Sequence, residues 1–392
     1  MLFGTVPGLR VDRTGAALLG AIALCAAGTV DPGAAWRAID VGTIGLLFGL
    51  MIVSAQFRRA GFYAAITRWL AARPASAERL LLELMLVVGA LSALLTNDVV
   101  CVAVAPVLID VAARRGLDPV PFLLGLAAAA NTGSAATLIG NPQNMLIGQA
   151  LDLPFAGYLL DGGPPALLGL AAAWWILARS YRGRFDRVVP IAACTDVPLD
   201  RWQTGKGLVV LALLVAGLLA CPLPREVQAL AAAGLLLLSR RTTTADLLAP
   251  VDWQLLVLFA GLFVVNHAFQ AAGHAAAAFG GLRDAGLDLG QPAVLFATSV
   301  VGSNLISNVP LTMLLLPVAD HPQAGAILAL ATTLAGNLLL VGSIANLIVV
   351  QQAQAFGVQP RERSWTREHV RTGLPITAAT LAIAAGWLWL RR

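Results

Sequence analysis

The sequence predicts an all-α polytopic membrane protein made of two inverted-topology repeats, each carrying a re-entrant helical hairpin and a broken transmembrane helix. Three observations predict it: charge too sparse for a water-soluble surface, apolar runs of spanning length with polar interruptions, and first-half segments that recur in the second half. Of 392 residues, 58% are hydrophobic and only 12% charged, where a soluble protein carries roughly 25% charged residues. The deficit covers the whole chain, so lipid is the expected solvent. The net charge of +5 is spread over short loops between apolar runs, where basic residues orient helices, and no nucleic-acid partner is expected. Cys25, Cys101, Cys194 and Cys221 show no paired spacing, so neither a disulfide framework nor a zinc site is indicated.

The first apolar run, residues 14–30, follows Arg10 and Arg13 and has the outline of a signal peptide, but a second-half counterpart from Glu226 to Ser239 marks it as a retained helix. Further runs of spanning length lie at 41–57, 121–150, 154–178, 205–221, 224–239, 251–270, 323–352 and 372–390, about nine spans in all. Two runs, 79–113 and 291–319, are different because polar residues sit in their middle, Thr96-Asn97-Asp98 and Ser307-Asn308. In the first, each flanking arm of about 16 residues is ~24 Å long, too short to cross comfortably. Both runs therefore read as re-entrant hairpins with their polar tips at midplane depth. The distribution of basic residues agrees, because a hairpin returns the chain to the side it left. With a cytoplasmic N-terminus, all of the 26 Lys and Arg residues lie inside except Arg37, Arg225, Arg283, Arg391 and Arg392. The first hairpin then opens inward and the second outward.

The repeat is legible in the letters. Ile39-Asp40, Leu46 to Leu50, Phe57 and Gly61 match Val251-Asp252, Leu258 to Leu262, Phe269 and Gly273 at an offset of 212 residues. Asn97 to Pro106 matches Asn308 to Pro317 at 211, and Gly140 to Ile147 resembles Gly342 to Val349 at 202. The expected organisation is an N-terminal repeat over 1–180, a cytoplasmic linker and connecting helix over 181–223, and a C-terminal repeat over 224–392. An odd number of spans separates equivalent positions, so the second copy lies upside down, the plan of many secondary transporters.

Inside hydrocarbon an uncompensated amide or hydroxyl costs several kcal/mol, so a cluster of them needs a cavity, a ligand or each other. Thr96, Asn97, Asp98, Asn131, Thr132, Ser134, Thr137, Asn141 and Asn144 form one group; Ser303, Asn304, Ser307, Asn308, Asn337, Ser343 and Asn346 form the other. Gly133, Gly140 and in-helix Pro142 in one repeat, and Gly336 and Gly342 in the other, let the backbone leave helical geometry and aim carbonyls at an ion. Asn97 and Asn308 are expected to N-cap the arms leaving each tip, and such helix ends can hold an anion. A bland alternative makes all of these caps and interhelical hydrogen bonds. Asp98 is the one acid in either break: a first-turn residue favouring its helix dipole, or a proton or sodium site. Asp40 and Asp252 read as simple caps, and His267 as packed or interfacial. Lys and Arg are absent over 118–176 and 284–358, so an anion would be met by helix ends, amides or co-ions. No Walker A loop, zinc motif or nucleophile elbow is present, so neither an enzyme nor ATP-driven transport by this chain alone is expected.

The segments Leu94 to Leu108, Ile139 to Gly148, Ser307 to Pro317 and Gly342 to Ile348 resemble the ion transporter superfamily, which includes citrate and divalent anion:sodium symporters, arsenite permeases and NhaD-type antiporters. The chain is most similar to the YbiR-type branch. The resemblance implies a small anionic or oxyanion substrate, sodium or a proton as coupling ion with no other cofactor, an elevator motion, a homodimer and a bacterial inner membrane. It places substrate at Thr96, Asn97, Asn131, Thr132, Asn144, Ser307, Asn308, Asn337 and Asn346, and the coupling ion at Asp98, Asn97, Asn141, Asn308 and Ser343. Dicarboxylate members carry Ser-Asn-Thr at each tip. Here Asp98 and Val309 replace the third residue, which moves the chain toward arsenite permeases and leaves a sodium/proton antiporter as the alternative reading.

Overall fold

The computed structural model describes residues 11–187 and 198–391; the expectations touching Arg10, Cys194, Arg392 and the middle of the linker lie outside the described residues. The first half comprises α1 (Arg13–Ala26), α2 (Pro32–Ala38), α3 (Val41–Arg59), α4 (Phe62–Ala71), α5 (Ala77–Leu94), α6 (Asn97–Arg114), α7 (Pro119–Ser134), α8 (Pro142–Ala150) and α9 (Phe155–Ser180). After α10 (Arg201–Ala220) come α11 (Arg225–Leu237), α12 (Thr244–Leu248), α13 (Trp253–Ala271), α14 (His274–Asp284), α15 (Pro292–Ile306), α16 (Asn308–Leu315), α17 (Ala324–Ala335), α18 (Ile344–Ala355) and α19 (Trp365–Leu390).

The two halves correspond element by element. Helices α1 to α4 begin at Arg13, Pro32, Val41 and Phe62, and α11 to α14 begin 212 residues later at Arg225, Thr244, Trp253 and His274. Asp40 and Asp252 both cap, accepting from the backbone N–H of Thr43 and Leu255. Gly61 and Gly273 join α3 to α4 and α13 to α14 with φ of 69° and 77°, a left-handed turn that other residues adopt at a cost.

Both interrupted runs fold as helix, break, helix: α5 and α6 meet at Leu95-Thr96, and α15 and α16 at Ser307. The two broken spans divide likewise, α7 from α8 over 135–141 and α17 from α18 over 336–343. Pro142 is the first residue of α8, so it starts a helix and does not interrupt one. Every residue of α7 and of α17 is buried, which puts these half-helices at the centre of the molecule.

Around them α5 packs on α7, α15 on α17, α9 on α19, α3 on α11 and α1 on α13. Four helices, α3, α10, α13 and α19, are each long and apolar enough to cross a membrane alone. The runs at 14–30 and 224–239 are shorter than expected, giving helices of 14 and 13 residues, about 20 Å each. In the first, Gly28 turns the chain at φ 68° and Asp31 caps a new helix.

Candidate functional site

Side chains from one break bond to the other. Asn131, near the end of α7, donates from Nδ2 to Asn346 Oδ1 (2.9 Å) and Asn337 Oδ1 (3.1 Å), and its Oδ1 accepts from Ser343 Oγ (2.8 Å). Position 333 stands 202 residues beyond 131 and acts in the mirrored sense. Thr333 Oγ1 accepts from Asn141 Nδ2 and Gln143 Nε2 and donates to Asn144 Oδ1, each at 3.2 Å. Asn337 Nδ2 adds a bond to Thr132 Oγ1 (3.2 Å).

Asn144 and Asn346 hold their own breaks open in the same manner. Asn144 Nδ2 donates to the carbonyls of Ser134 (3.4 Å) and Thr137 (3.0 Å), ten and seven residues earlier. Asn346 Nδ2 donates to those of Gly336 (2.8 Å) and Leu339 (3.1 Å), again ten and seven earlier. These carbonyls lost their helical partners where the chain unwound, so one amide replaces the missing ladder at each break. Asn141 and Ser343 cap α8 and α18, accepting from the N–H of Asn144 and Ala345.

At the breaks glycine serves close approach. A Cβ on Gly133 would stand 2.7 Å from the Gly89 carbonyl carbon and nearer still to its Cα and oxygen, so α5 and α7 touch backbone to backbone there.

The tips differ from the expected caps. Thr96 and Ser307 occupy the N-cap positions, and neither makes a side-chain capping bond. Asn97 and Asn308 are the first helical residues: the Asn97 backbone N–H donates to the Gly140 carbonyl (3.1 Å), Asn97 Nδ2 reaches Asn131 Oδ1 (3.5 Å), and Asn308 Oδ1 accepts from Ser303 Oγ. Ser307 sits at φ 81°, a conformation rare for a residue with a side chain. At the first tip Ser92 Oγ, Thr96 Oγ1 and Asn97 Oδ1 are buried with no hydrogen-bond partner among the described residues.

A cavity of about 50 Å³ separates the tips from α1 and α13. Asn97, Asp98, Gln143, Ser307, Asn308 and Ser343 form its polar wall, and Arg13, Leu255, Leu258, Phe259 and Leu262 face them. A second cavity, about 220 Å³, reaches Thr96 and Asp98 from Arg58, Asp252 and Met51. Asp98 lines both and makes no hydrogen bond or ion pair among the described residues. Asn131, Thr132, Asn144, Asn337 and Asn346 are not among the cavity's lining residues; they form the bonded layer behind it. Asp98 accordingly shares its cavity with Asn97, Gln143 and Ser343, and not with Asn131 and Asn144.

Three contributors carried no signal in the sequence. Arg13 reaches the cavity and donates from Nη2 to the Val341 carbonyl (3.2 Å), which corrects the expectation that no basic side chain faces it. Thr333 reads in the sequence as one more residue of an apolar helix. Buried His369, the fifth residue of α19, lies 3.4 Å from Asn346 Nδ2 through Nε2. His267, in contrast, is exposed on α13.

Comparison with known proteins gives this arrangement its family. The citrate transporter family model, CitMHS, matches residues 1–335. The chain is 31% identical to the inner membrane protein YbiR of Escherichia coli over 338 residues, covering 85% of this chain and 84% of that protein. It is 29% identical to the silicon efflux transporter LSI3 of rice, Oryza sativa, over 97% of this chain and 93% of that one. Among solved structures, the YdaH transporter of Alcanivorax borkumensis, described as having an unusual topology, superposes with a TM-score of 0.58 at 16% identity, covering 98% of this chain and 92% of that one, a likeness of fold. The chain is a multi-pass membrane protein and a secondary transporter of a small solute, not an enzyme, and it belongs to the citrate transporter family.

Proposed function

We propose that this protein is an ion-coupled transporter of a small anion or oxyanion, such as a carboxylate or arsenite, in a bacterial inner membrane with its N-terminus in the cytoplasm. The observation that carries the reading is the reciprocal bonding across the breaks: position 131 grips 343 and 346, and position 333 grips 141 and 144. A two-fold relation between inverted repeats produces such reciprocity, and it brings two polar breaks and two hairpin tips to one cavity. Substrate is met at Asn97, Ser307 and Asn308, and the bonded layer of Asn131, Thr132, Asn144, Asn337 and Asn346 fixes their positions. The unpartnered oxygens of Ser92, Thr96 and Asn97 suit a small cation with oxygen ligands, with Asp98 supplying charge and Asn141 and Ser343 holding the helix ends behind it. Hairpins and broken helices move together as an elevator against α1, α3, α11 and α13, in a homodimer. The name of the rice relative widens the solute class to small oxo-acids.

Purified protein should be thermally stabilised by one or more of citrate, succinate, sulfate, arsenite and silicic acid, and more strongly with sodium or at lower pH if an ion binds with it. No stabilisation by any of them under either condition contradicts the reading. A sodium/proton antiporter is the second reading, favoured by the unpaired carboxylate of Asp98 in both cavities. It predicts sodium-dependent proton movement in liposomes with no added anion.

A further inference from the structure

Arg13 and Arg225 hold equivalent places. Each is the first residue of its helix, α1 and α11, and they stand 212 positions apart. Each helix lies against the other repeat's long helix, α1 on α13 and α11 on α3. Their surroundings differ. Arg13 meets the start of a half-helix: Nη2 donates to the Val341 carbonyl (3.2 Å) just before α18, Nε is buried with no partner, and the side chain lines the tip cavity with Asp98 and Asn308. Arg225 meets the far end of a half-helix. Nη1 donates to the Gly148 carbonyl (2.7 Å) near the end of α8, Nη2 donates to that of Leu153, and Asp152 lies 3.9 Å away. Its neighbour Glu226 accepts from Gln149 Nε2 (2.8 Å).

Repeat equivalence turns this difference into a displacement. With α8 starting at Pro142 and α18 at Ile344, Val341 corresponds to Ile139; at the helix ends, where the Leu153 N–H donates to the Gly148 carbonyl and the Val358 N–H to the Ala353 carbonyl, Gly148 corresponds to Ala353. We propose that Arg13 and Arg225 exchange these places during transport, and that whichever of them faces the tip cavity contacts an oxygen of the anionic substrate. In the opposite state Arg225 lies beside Ile139 and Arg13 satisfies the carbonyl end of α18 around Ala353. This rests on the transporter reading above.

Three physical points support it. A guanidinium with an unused buried donor complements an oxyanion, and the carbonyl end of a helix is the natural resting place for the same group when it leaves the cavity. The two resting places share their geometry, because Asp152 and Gly357, two residues past the ends of α8 and α18, both take positive φ, 45° and 70°. From Ile344 to Ala353 along α18 is nine residues, so the travel is about 14 Å at 1.5 Å per residue, a slide that one membrane accommodates.

The test uses the full chain in proteoliposomes of determined orientation, with citrate and arsenite counterflow measured from each face. Arg13→Gln should raise KM about 10- to 100-fold on the cytoplasmic face and leave the other face within about threefold; Arg225→Gln should do the converse, with Lys restoring part of each loss. Equal changes on both faces, or none, overturn the exchange. In a cysteine-free background, mercury should bridge Arg13→Cys to Val341→Cys at rest and to Ala353→Cys during turnover. Absence of the second bridge removes the slide even if the KM values change. Wild-type protein that exchanges neither probe overturns the transporter reading for these solutes and the proposal with it.

Discussion

Replacing Thr333 by valine removes one oxygen and keeps the branched shape, so it isolates hydrogen bonding across the breaks. That oxygen serves three partners at 3.2 Å, Asn141, Gln143 and Asn144. Asn141 Nδ2 keeps a second bond to Ser134 Oγ (3.1 Å), whereas Gln143 Nε2 and Asn144 Oδ1 have no other side-chain or backbone partner among the described residues. Side-chain hydrogen bonds in membrane proteins average about 0.6 kcal/mol and reach about 1.7, so three of them give a loss of about 2 kcal/mol and at most about 5. A loss of 2 kcal/mol is roughly a 30-fold change in the folding equilibrium. Reversible denaturation by SDS in mixed micelles measures it, with an exposed threonine, Thr244, changed to valine as control. Asn144 keeps the Nδ2 bonds to its own break but loses its bond across to the other, so transport should fall by more than stability alone explains. A Thr333→Val protein within about 0.5 kcal/mol of wild type and fully active would refute the view that these bonds hold the two breaks in register.

Other expectations follow from single contacts. Gly133→Ala puts a methyl into the Gly89 backbone, which has no flexible end to yield; overpacking of this kind costs about 1–3 kcal/mol, so thermal unfolding in detergent should shift down by several degrees, whereas Gly205→Ala, with open space around it, should not. Asp98→Asn should keep substrate exchange but lose accumulation driven by a sodium or proton gradient, with any pH dependence of transport flattened; accumulation equal to wild type at every pH would leave Asp98 a helix-start residue. In a cysteine-free background, single cysteines at exposed Arg73 and Arg182 should label only from the cytoplasm, and one at Asp284 only from outside. Labelling of all three from one face would remove the inverted arrangement.

The hairpins and breaks were legible because hydrocarbon makes polar residues conspicuous. An asparagine inside an apolar run has few structural excuses, and Asn97, Asn131, Asn144, Asn308, Asn337 and Asn346 all lie at a tip or a break. The glycines were found too, though their use is backbone contact and not unusual dihedral angles. Helix length was read less well, since Gly28 and Asp31 end one helix and start the next within a run that is apolar almost throughout. The caps fall one residue earlier than expected at each tip, on Thr96 and Ser307, because the Asn97 backbone N–H is bound to Gly140 and the Asn308 side chain to Ser303. Arg13 was out of reach of sequence reasoning. Its partner Val341 lies 328 residues away, and only the packing of α1 on α13 brings a residue that looks like a loop charge to the cavity. Thr333 and His369 were hidden for a related reason, since a threonine in an apolar helix and a histidine near a basic loop have ordinary roles in most membrane proteins.

The central claim, a saturable carrier whose substrate lies between the two tips, is tested most directly by counterflow in proteoliposomes preloaded with unlabelled citrate or arsenite. The account predicts transient uptake of the labelled solute above its equilibrium level by the wild type, saturation with concentration, and loss of both in Asn97→Ala and Asn308→Ala proteins that still purify as folded material. Transient uptake that survives in the double variant, or wild-type flux that rises without saturation and shows no overshoot, would contradict it.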